Sequence, residues 1–303
     1  MRTTLIVNPV AGQGKAGRLA EGLREALGAA GEEVRVLCTQ AAGEAAALCR
    51  GLAPGDTDRL IVVGGDGTLR EVVGARDLPL PWPVGLAPVG TANVVARELG
   101  MPRHGKARRV AEALRHAQPW RVGVLEIEYG DGRRERALAN VGAGLDAEVV
   151  RAVATARAQR GGRGGYGVWV RPIWRTLARY AAPRLLVRLD GGETLPAAAL
   201  VVQGAHSYGG VFTLAPGARM DADTLWVSRI TQGGRWPLLR LLVRGLLGRA
   251  HRDRGLALHA AREVHVTAEG PVGMQADGDA AGMLPATLRL RPGCLTLLRA
   301  ATR

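Results

Sequence analysis

Over the first 120 residues, short apolar runs alternate with segments of helical spacing. Residues 3–8 (TTLIVN) form an apolar run that ends in a turn. Residues 15–30 then repeat apolar side chains at Leu19, Leu23, Ala26 and Leu27, the three- and four-residue intervals of one helix face. Residues 34–38 predict a second strand and 41–52 a second helix. Residues 59–63 (RLIVV) predict a third strand, apolar after its first residue, as a strand covered on both faces needs. A helix over 69–74, a strand over 84–89 and a helix over 91–99 capped by Thr91 complete the series. This βαβα order predicts a parallel sheet with crossover helices.

From about residue 122 the texture changes. Segments 122–129, 137–141, 184–189, 197–203, 224–230, 262–267 and 287–290 are short and strand-like, with Gly-Gly turns at 191–192 and 209–210. This half predicts an antiparallel β-sandwich, interrupted by two helical, basic stretches near 151–180 and 235–254. The expected division is an α/β domain over 1–121 and a β domain over 122–303, with the last strand free to return to the first domain.

Composition narrows the class. The 303 residues are 47% hydrophobic and 22% charged, too apolar for a disordered chain. No apolar run approaches the ~20 residues of a membrane span, and the opening MRTTLIVNPVAG is too quickly punctuated for a signal peptide. Cys38, Cys49 and Cys294 form neither a disulfide framework nor a metal cluster, and the histidines lie at no metal spacing; a reducing cytoplasm is expected. The net charge is +14, and only two of the 41 basic residues are lysines, so 41 − 2 leaves 39 arginines. Their placement matters more than their number. Residues 151–180 interleave Arg157, Arg160, Arg163, Arg171, Arg175 and Arg179 with Tyr166, Trp169, Trp174 and Tyr180, and Arg235 and Arg249 flank WPLLRLLVRGLL. Trp and Leu with Arg at the margins suit a helix lying in a membrane interface, each Arg adding about 1 kcal/mol near an anionic surface. The rival is a core helix with solvated arginines. Single-stranded nucleic acid stacking on the aromatics is the third reading, and no nucleic-acid partner is expected.

Three glycine-rich loops follow three of the four strands: Asn8-Pro9-Val10-Ala11-Gly12-Gln13-Gly14-Lys15, Gly64-Gly65-Asp66-Gly67-Thr68 and Gly90-Thr91-Ala92-Asn93. In an open parallel sheet such loops converge at the carboxyl ends of the strands, where ligands bind. Glycines let backbone approach a phosphate, and the helix N-termini behind them present N–H groups and partial positive charge. An aspartate amid such machinery serves a cation or a proton. Neither the Walker string nor the dinucleotide fingerprint is present in these loops.

The strings NPVAGQG, VVGGDGTLREVV, GLAPVGTANVVARELG, NVGAGLDAEV, GGVFTLAPGARMDADTLWV and MQADGD occur in an order that resembles the diacylglycerol kinase catalytic-domain family, which includes bacterial lipid kinases and sphingosine and ceramide kinases. The resemblance implies an α/β domain and a β-sandwich with the nucleotide in the cleft between them. It also implies ATP-dependent phosphorylation of a lipid hydroxyl, with Mg²⁺ as the accompanying cation; a kinase with such a substrate must reach the bilayer surface, so peripheral membrane association through 151–180 and 235–254 is expected. It places nucleotide contacts at Asn8, Pro9, Gly12, Thr39, Gly64, Gly65, Asp66, Gly67, Thr68, Leu69, Gly90, Thr91 and Asn93. Asp66 corresponds to the acid associated with phosphates and metal. Asp277 and Asp279 correspond to an Asp-Gly-Glu motif that deprotonates the acceptor, with Asp279 one methylene shorter than the usual Glu.

Other departures bear on metal binding. Arg70 and Val94 stand where Asn and Asp are usual, and Ala222 and Trp226 replace aspartates. These replacements remove hard oxygen ligands from the accessory Mg²⁺ site that the resemblance implies there, and Asp221 and Asp223 are the acids that remain. The expected activity is a lipid kinase. The alternatives are a kinase for NAD or a sugar phosphate, and a lipid- or nucleotide-binding protein without catalysis.

Overall fold

The apolar runs of the first 120 residues become a parallel sheet because each is followed by a helix that must fold back over it. In chain order these elements are β1 (Arg2–Val7), α1 (Ala11–Gly28), β2 (Glu33–Cys38), α2 (Glu44–Arg50), β3 (Arg59–Gly64), α3 (Asp66–Gly74), β4 (Val84–Pro88), α4 (Val94–Glu98) and α5 (Ala107–Arg115). This computed structural model describes residues 1–90, 93–102, 106–159, 167–210 and 212–301. The chain divides into two units, Met1–Val122 with Gly293–Arg303, and Gly123–Pro292.

In the first unit the parallel strands run in the order β2-β1-β3-β4. The chain moves from β1 outward to β2, then crosses back to place β3 on the other side of β1. Right-handed crossovers therefore put α1 on one face and α2 and α3 on the other. The reversal makes β1 and β3 the switch point at which α/β sheets form their ligand crevices. Leu5, Ile6, Leu60, Ile61, Val62, Val84 and Leu86 are fully buried within this sheet. Arg59, which the sequence shows as the one charge in its strand, is also buried. It is bonded to both carboxylate oxygens of Glu32 (2.7 and 2.9 Å), to Thr3 and to the Leu114 carbonyl.

The remaining elements are β5 (Gln118–Tyr129), β6 (Arg134–Ala137), β7 (Asn140–Ala143), α6 (Leu145–Ala158), α7 (Gly167–Arg179), β8 (Leu185–Leu189), β9 (Thr194–Ala197), β10 (Ala199–Gln203), β11 (Leu225–Ile230), α8 (Arg235–Leu246), β12 (Leu256–Ala261), β13 (Glu263–Ala268), β14 (Gly273–Ala276), β15 (Asp279–Met283) and β16 (Ala286–Arg299). In the second unit, one sheet runs β12-β11-β10-β7-β14-β15 with every pairing antiparallel. It faces a layer containing β5, β8, β13 and the start of β16 across a core of Leu125, Ile127, Val187, Val264, Val266 and Leu288 against Val141, Leu200, Val202, Val227 and Met274. This is the expected β-sandwich. The period of two is visible on β10, where Leu200 and Val202 enter that core while Ala199 and Val201 face a second cluster with Leu177, Leu238 and Leu241 of α7 and α8. The end of β16 lies in the first unit, where Leu297 pairs with Val84 of β4 in parallel.

Several boundaries differ from the sequence reading. The segment expected to start a helix at Thr91 starts it at Val94, after Asn93 in a left-handed conformation (φ 46°, ψ 53°). Thr91 itself lies outside the described residues, as do Arg160, Arg163 and Tyr166. The long insert at 151–180 is two helices, α6 and α7, and the strand expected at 197–203 is split between β9 and β10.

Candidate active site

The first loop turns sharply before its helix. Gly12, Gln13 and Gly14 all have φ between 60° and 81°, so regular helix begins only at Lys15. A left-handed run of this kind suits glycine, and Gln13 holds it against its own preference. A Cβ at Gly12 would strike the backbone carbonyl of Val89, at the end of β4. The first loop therefore lies directly against the third.

The second loop fastens to both neighbours. Asn8 donates from Nδ2 to Thr68 Oγ1 at 3.3 Å. Asp66 opens α3, and its carboxylate accepts N–H bonds from Val94 (2.7 Å) and Val95 (3.2 Å) at the start of α4. Gly65 and Gly90 approach backbone to backbone: a Cβ at Gly90 would lie 3.1 Å from the Gly65 Cα. Asn93 is 3% exposed and donates from Nδ2 to the Gly90 carbonyl (2.6 Å), while its Oδ1 is buried with no hydrogen-bond partner among the described residues. Such an acceptor costs roughly 1–3 kcal/mol unless a ligand, cation or water supplies its partner.

The structure thus brings Asn8, Gly12, Gly64, Gly65, Asp66, Thr68, Gly90 and Asn93 together at the carboxyl ends of β1, β3 and β4. The first bond inside α3 runs from the Leu69 N–H to the Gly65 carbonyl, which leaves the earlier N–H groups at a positive helix end. Thr39 follows β2, with its N–H on the Val7 carbonyl. Leu69 has its side chain wholly in the core, so only its backbone faces the loops. Val94, where an acid is usual in the resemblance, enters the site through its N–H.

In the second unit, Asp277 and Gly278 form the two-residue turn between β14 and β15, with φ of 51° and 89°. Positive φ at both positions is what a type I′ hairpin turn needs. The Asp277 carboxylate accepts three backbone bonds, from Leu138 (2.8 Å), Ala139 (2.7 Å) and Asn140 (3.0 Å), and the Asp277 N–H donates to the Asn140 carbonyl (2.9 Å). Asp279 is exposed at the first position of β15. The two acids therefore do different work: Asp277 ties the hairpin to the 138–140 turn, and Asp279 faces outward.

Beneath the hairpin lies a polar network to which sequence reasoning assigned no role. Gln275, 1% exposed, accepts the Gly278 N–H at Oε1 (2.8 Å) and donates from Nε2 to Asp146 (2.6 Å) and Asn140 (3.1 Å). The Tyr208 hydroxyl donates to Asp146 as well. Desolvation pushes the Asp146 carboxyl above its ordinary range, while the bonds from Tyr208 and Gln275 act against that shift. A Cβ at Gly142 would overlap the Asp146 carboxylate, so the glycine is required by this network.

Both carboxylate oxygens of Asp221 accept from Arg219 at 2.9 Å, and the Asp223 carbonyl accepts from Arg262. Among the described residues no three His, Cys, Asp or Glu side chains converge to hold a metal ion.

Glycine-bearing loops fastened together at a sheet switch point have the form that suits a phosphate group, and the second unit carries an acid-bearing hairpin on a β-sandwich. The comparisons agree. Residues 2–127 match the diacylglycerol kinase catalytic domain, and residues 139–299 match the YegS C-terminal NAD kinase beta sandwich-like domain. The chain belongs to the diacylglycerol kinase catalytic-domain family and is a lipid kinase, as its motifs led us to expect. It is 27% identical to a diacylglycerol kinase of Mycobacterium tuberculosis over 98% of this chain and 95% of that one. A diacylglycerol kinase of Bacillus subtilis is 26% identical over 94% and 91%. The fold is shared with a crystal structure of a diacylglycerol kinase from Bacillus anthracis, at a TM-score of 0.73 and 20% identity over 98% of this chain and 96% of that one.

Proposed function

We propose that this chain transfers the γ-phosphoryl group of ATP to a hydroxyl of a diacylglycerol-like lipid. The observation that carries the proposal is the fastening of three strand-end loops into one cradle through Asn8–Thr68, Asp66–Val94 and Asp66–Val95. Backbone N–H groups and the positive ends of α1 and α3 suit a triphosphate there. The Asn93 Oδ1, buried without a hydrogen-bond partner among the described residues, suits a donor group of the nucleotide or contact with a cation. A hard cation that keeps several waters and arrives on phosphates needs only one or two protein oxygens. Asp66 and Asn93 fit that requirement for Mg²⁺, which when bound neutralises charge on the phosphates.

Asp279 is the acid that receives the proton of the acceptor hydroxyl as its oxygen bonds to the γ-phosphorus and the bond to the β-bridging oxygen breaks. Asp277 and Gln275 position the turn that presents it. Rate acceleration comes from alignment and charge neutralisation more than from covalent chemistry. A diacylglycerol-like acceptor is supported by the relatives named diacylglycerol kinase. The test is mass spectrometry of products after incubation with Mg-ATP and a total lipid extract, beside a panel of soluble acceptors. A phosphorylated glycerolipid is expected. A phosphorylated nucleotide or sugar alone, or nucleotide binding without any product, would overturn the proposal.

A further inference from the structure

We propose that the outward faces of α7 and α8 form a docking surface for an anionic lipid bilayer. The proposal rests on the lipid-kinase reading for its purpose, but its evidence is separate. Nine large apolar side chains are exposed among the described residues. Six of them, Val170, Trp174, Trp236, Val243, Leu246 and Leu247, lie on α7, on α8 or directly after it. Soluble surfaces scatter such residues singly, and their concentration marks an interaction site.

The geometry gives them one direction. Leu177 of α7 and Leu238 and Leu241 of α8 share one buried cluster over β10, so both helices sit on the same face of the same sheet. Val170 and Trp174 are one helical turn apart on α7. Trp236, Val243 and Leu247 follow on α8 at seven- and four-residue steps, a single stripe turned away from the core. The aromatics expected at this surface are fewer than the sequence suggested. Tyr180 is buried with its hydroxyl on the Ala198 carbonyl, and Trp169 lies half-buried beneath Arg157.

Charge selects the occupant. Exposed Arg171, Arg175 and Arg179 on α7, with Arg235 and Arg249 flanking α8, form no ion pair among the described residues. Arg240 and Arg244, by contrast, are tied to Asp253. Arg235 stacks over the exposed Trp236. A second copy of this chain seated on the stripe would set arginine against arginine. Anionic headgroups supply the opposite charge, and the apolar side chains enter the acyl boundary beneath them.

The test is sedimentation of the full-length protein with vesicles of phosphatidylcholine alone or mixed with phosphatidylglycerol. Wild type is expected to sediment with the mixed vesicles, to dissociate in high salt, and to ignore pure phosphatidylcholine. Two arginines at roughly fivefold each predict that Arg171→Gln with Arg175→Gln weakens partition about 25-fold. Trp236→Ser with Leu247→Ser is expected to weaken it at least about tenfold. Both variants should phosphorylate a short-chain diacylglycerol in detergent micelles at the wild-type rate, which also shows them folded. Variants that sediment like wild type, a wild type that ignores anionic vesicles, or a wild-type dimer that these substitutions dissociate would each overturn the proposal. A failure of the kinase reading would look different: vesicle binding intact, with no micellar turnover in any protein.

Discussion

Replacing Asp277 with alanine separates the structural role assigned to it from the chemical role assigned to Asp279. Its carboxylate gathers the N–H groups of Leu138, Ala139 and Asn140 at 2.7–3.0 Å. Those residues are 1%, 1% and 6% exposed, so water does not replace the lost acceptor freely. Each buried donor left without a partner costs roughly 1–3 kcal/mol, and the three share one carboxylate, so their costs are not additive. The lower bounds together give about 3 kcal/mol, and point substitutions seldom exceed ~5 kcal/mol. A domain of this size loses ~2–4 °C in Tm per kcal/mol, so the expected drop in the second unit is roughly 6–20 °C. Asp279→Ala, at an exposed position, should stay within ~0.5 kcal/mol of wild type while its phosphorylation rate falls about 10²–10⁴-fold. Thermal denaturation by circular dichroism and a phosphorylation assay on the same preparations read both quantities. An Asp277→Ala protein as stable as wild type would refute the clamp.

Further outcomes follow from the same geometry. Asp66→Ala should abolish phosphorylation and also lower stability by about 2–4 kcal/mol in urea unfolding, because the buried N–H groups of Val94 and Val95 lose their acceptor. Gly12→Ala, at φ 60° and against the Val89 carbonyl, should raise the KM for ATP about tenfold or more in steady-state kinetics and cost about 1–3 kcal/mol of stability in urea unfolding. Burial, and then Arg229, hold the His259 imidazole below its ordinary pKa of 6.5. The unfolded chain therefore takes up that proton at a higher pH than the folded one, and the stability contributed by neutral His259 is lost as pH falls from above 6.5 toward the folded value. Urea midpoints at pH 7.5 and 5.5 should show a smaller loss in His259→Leu than in wild type.

The parallel unit was legible because β1, β3 and β4 are buried almost throughout and read as apolar runs, each followed by a glycine-bearing loop, while the edge strand β2 is half exposed and was marked by its alternation. The cradle was legible for the same reason, since the strand ends fix where loops can meet. The second unit was harder. Leu256–Ala261 (LALHAA) lacks the β-branched alternation that marks a strand, yet pairs along its whole length with β11. Asp277-Gly278 is an Asp-Gly pair, the strongest short-range hairpin signal, and β14 and β15 flank it. Asp277 and Asp279 looked equivalent in the sequence, because nothing local shows that residues 138–140 return to meet one of them. Asp146, Tyr208 and Gln275 were invisible as a group, being more than sixty residues apart from one to the next and joined only by the sheet.

The central claim, that three strand-end loops together grip a triphosphate, is tested most directly by amide hydrogen exchange with and without Mg-ATP. The account predicts strong protection by nucleotide at residues 8–15 and 64–69 and in the segment leading into Val94, with β8 and β9 unchanged. Protection absent from those loops, or confined to another part of the chain, would contradict it.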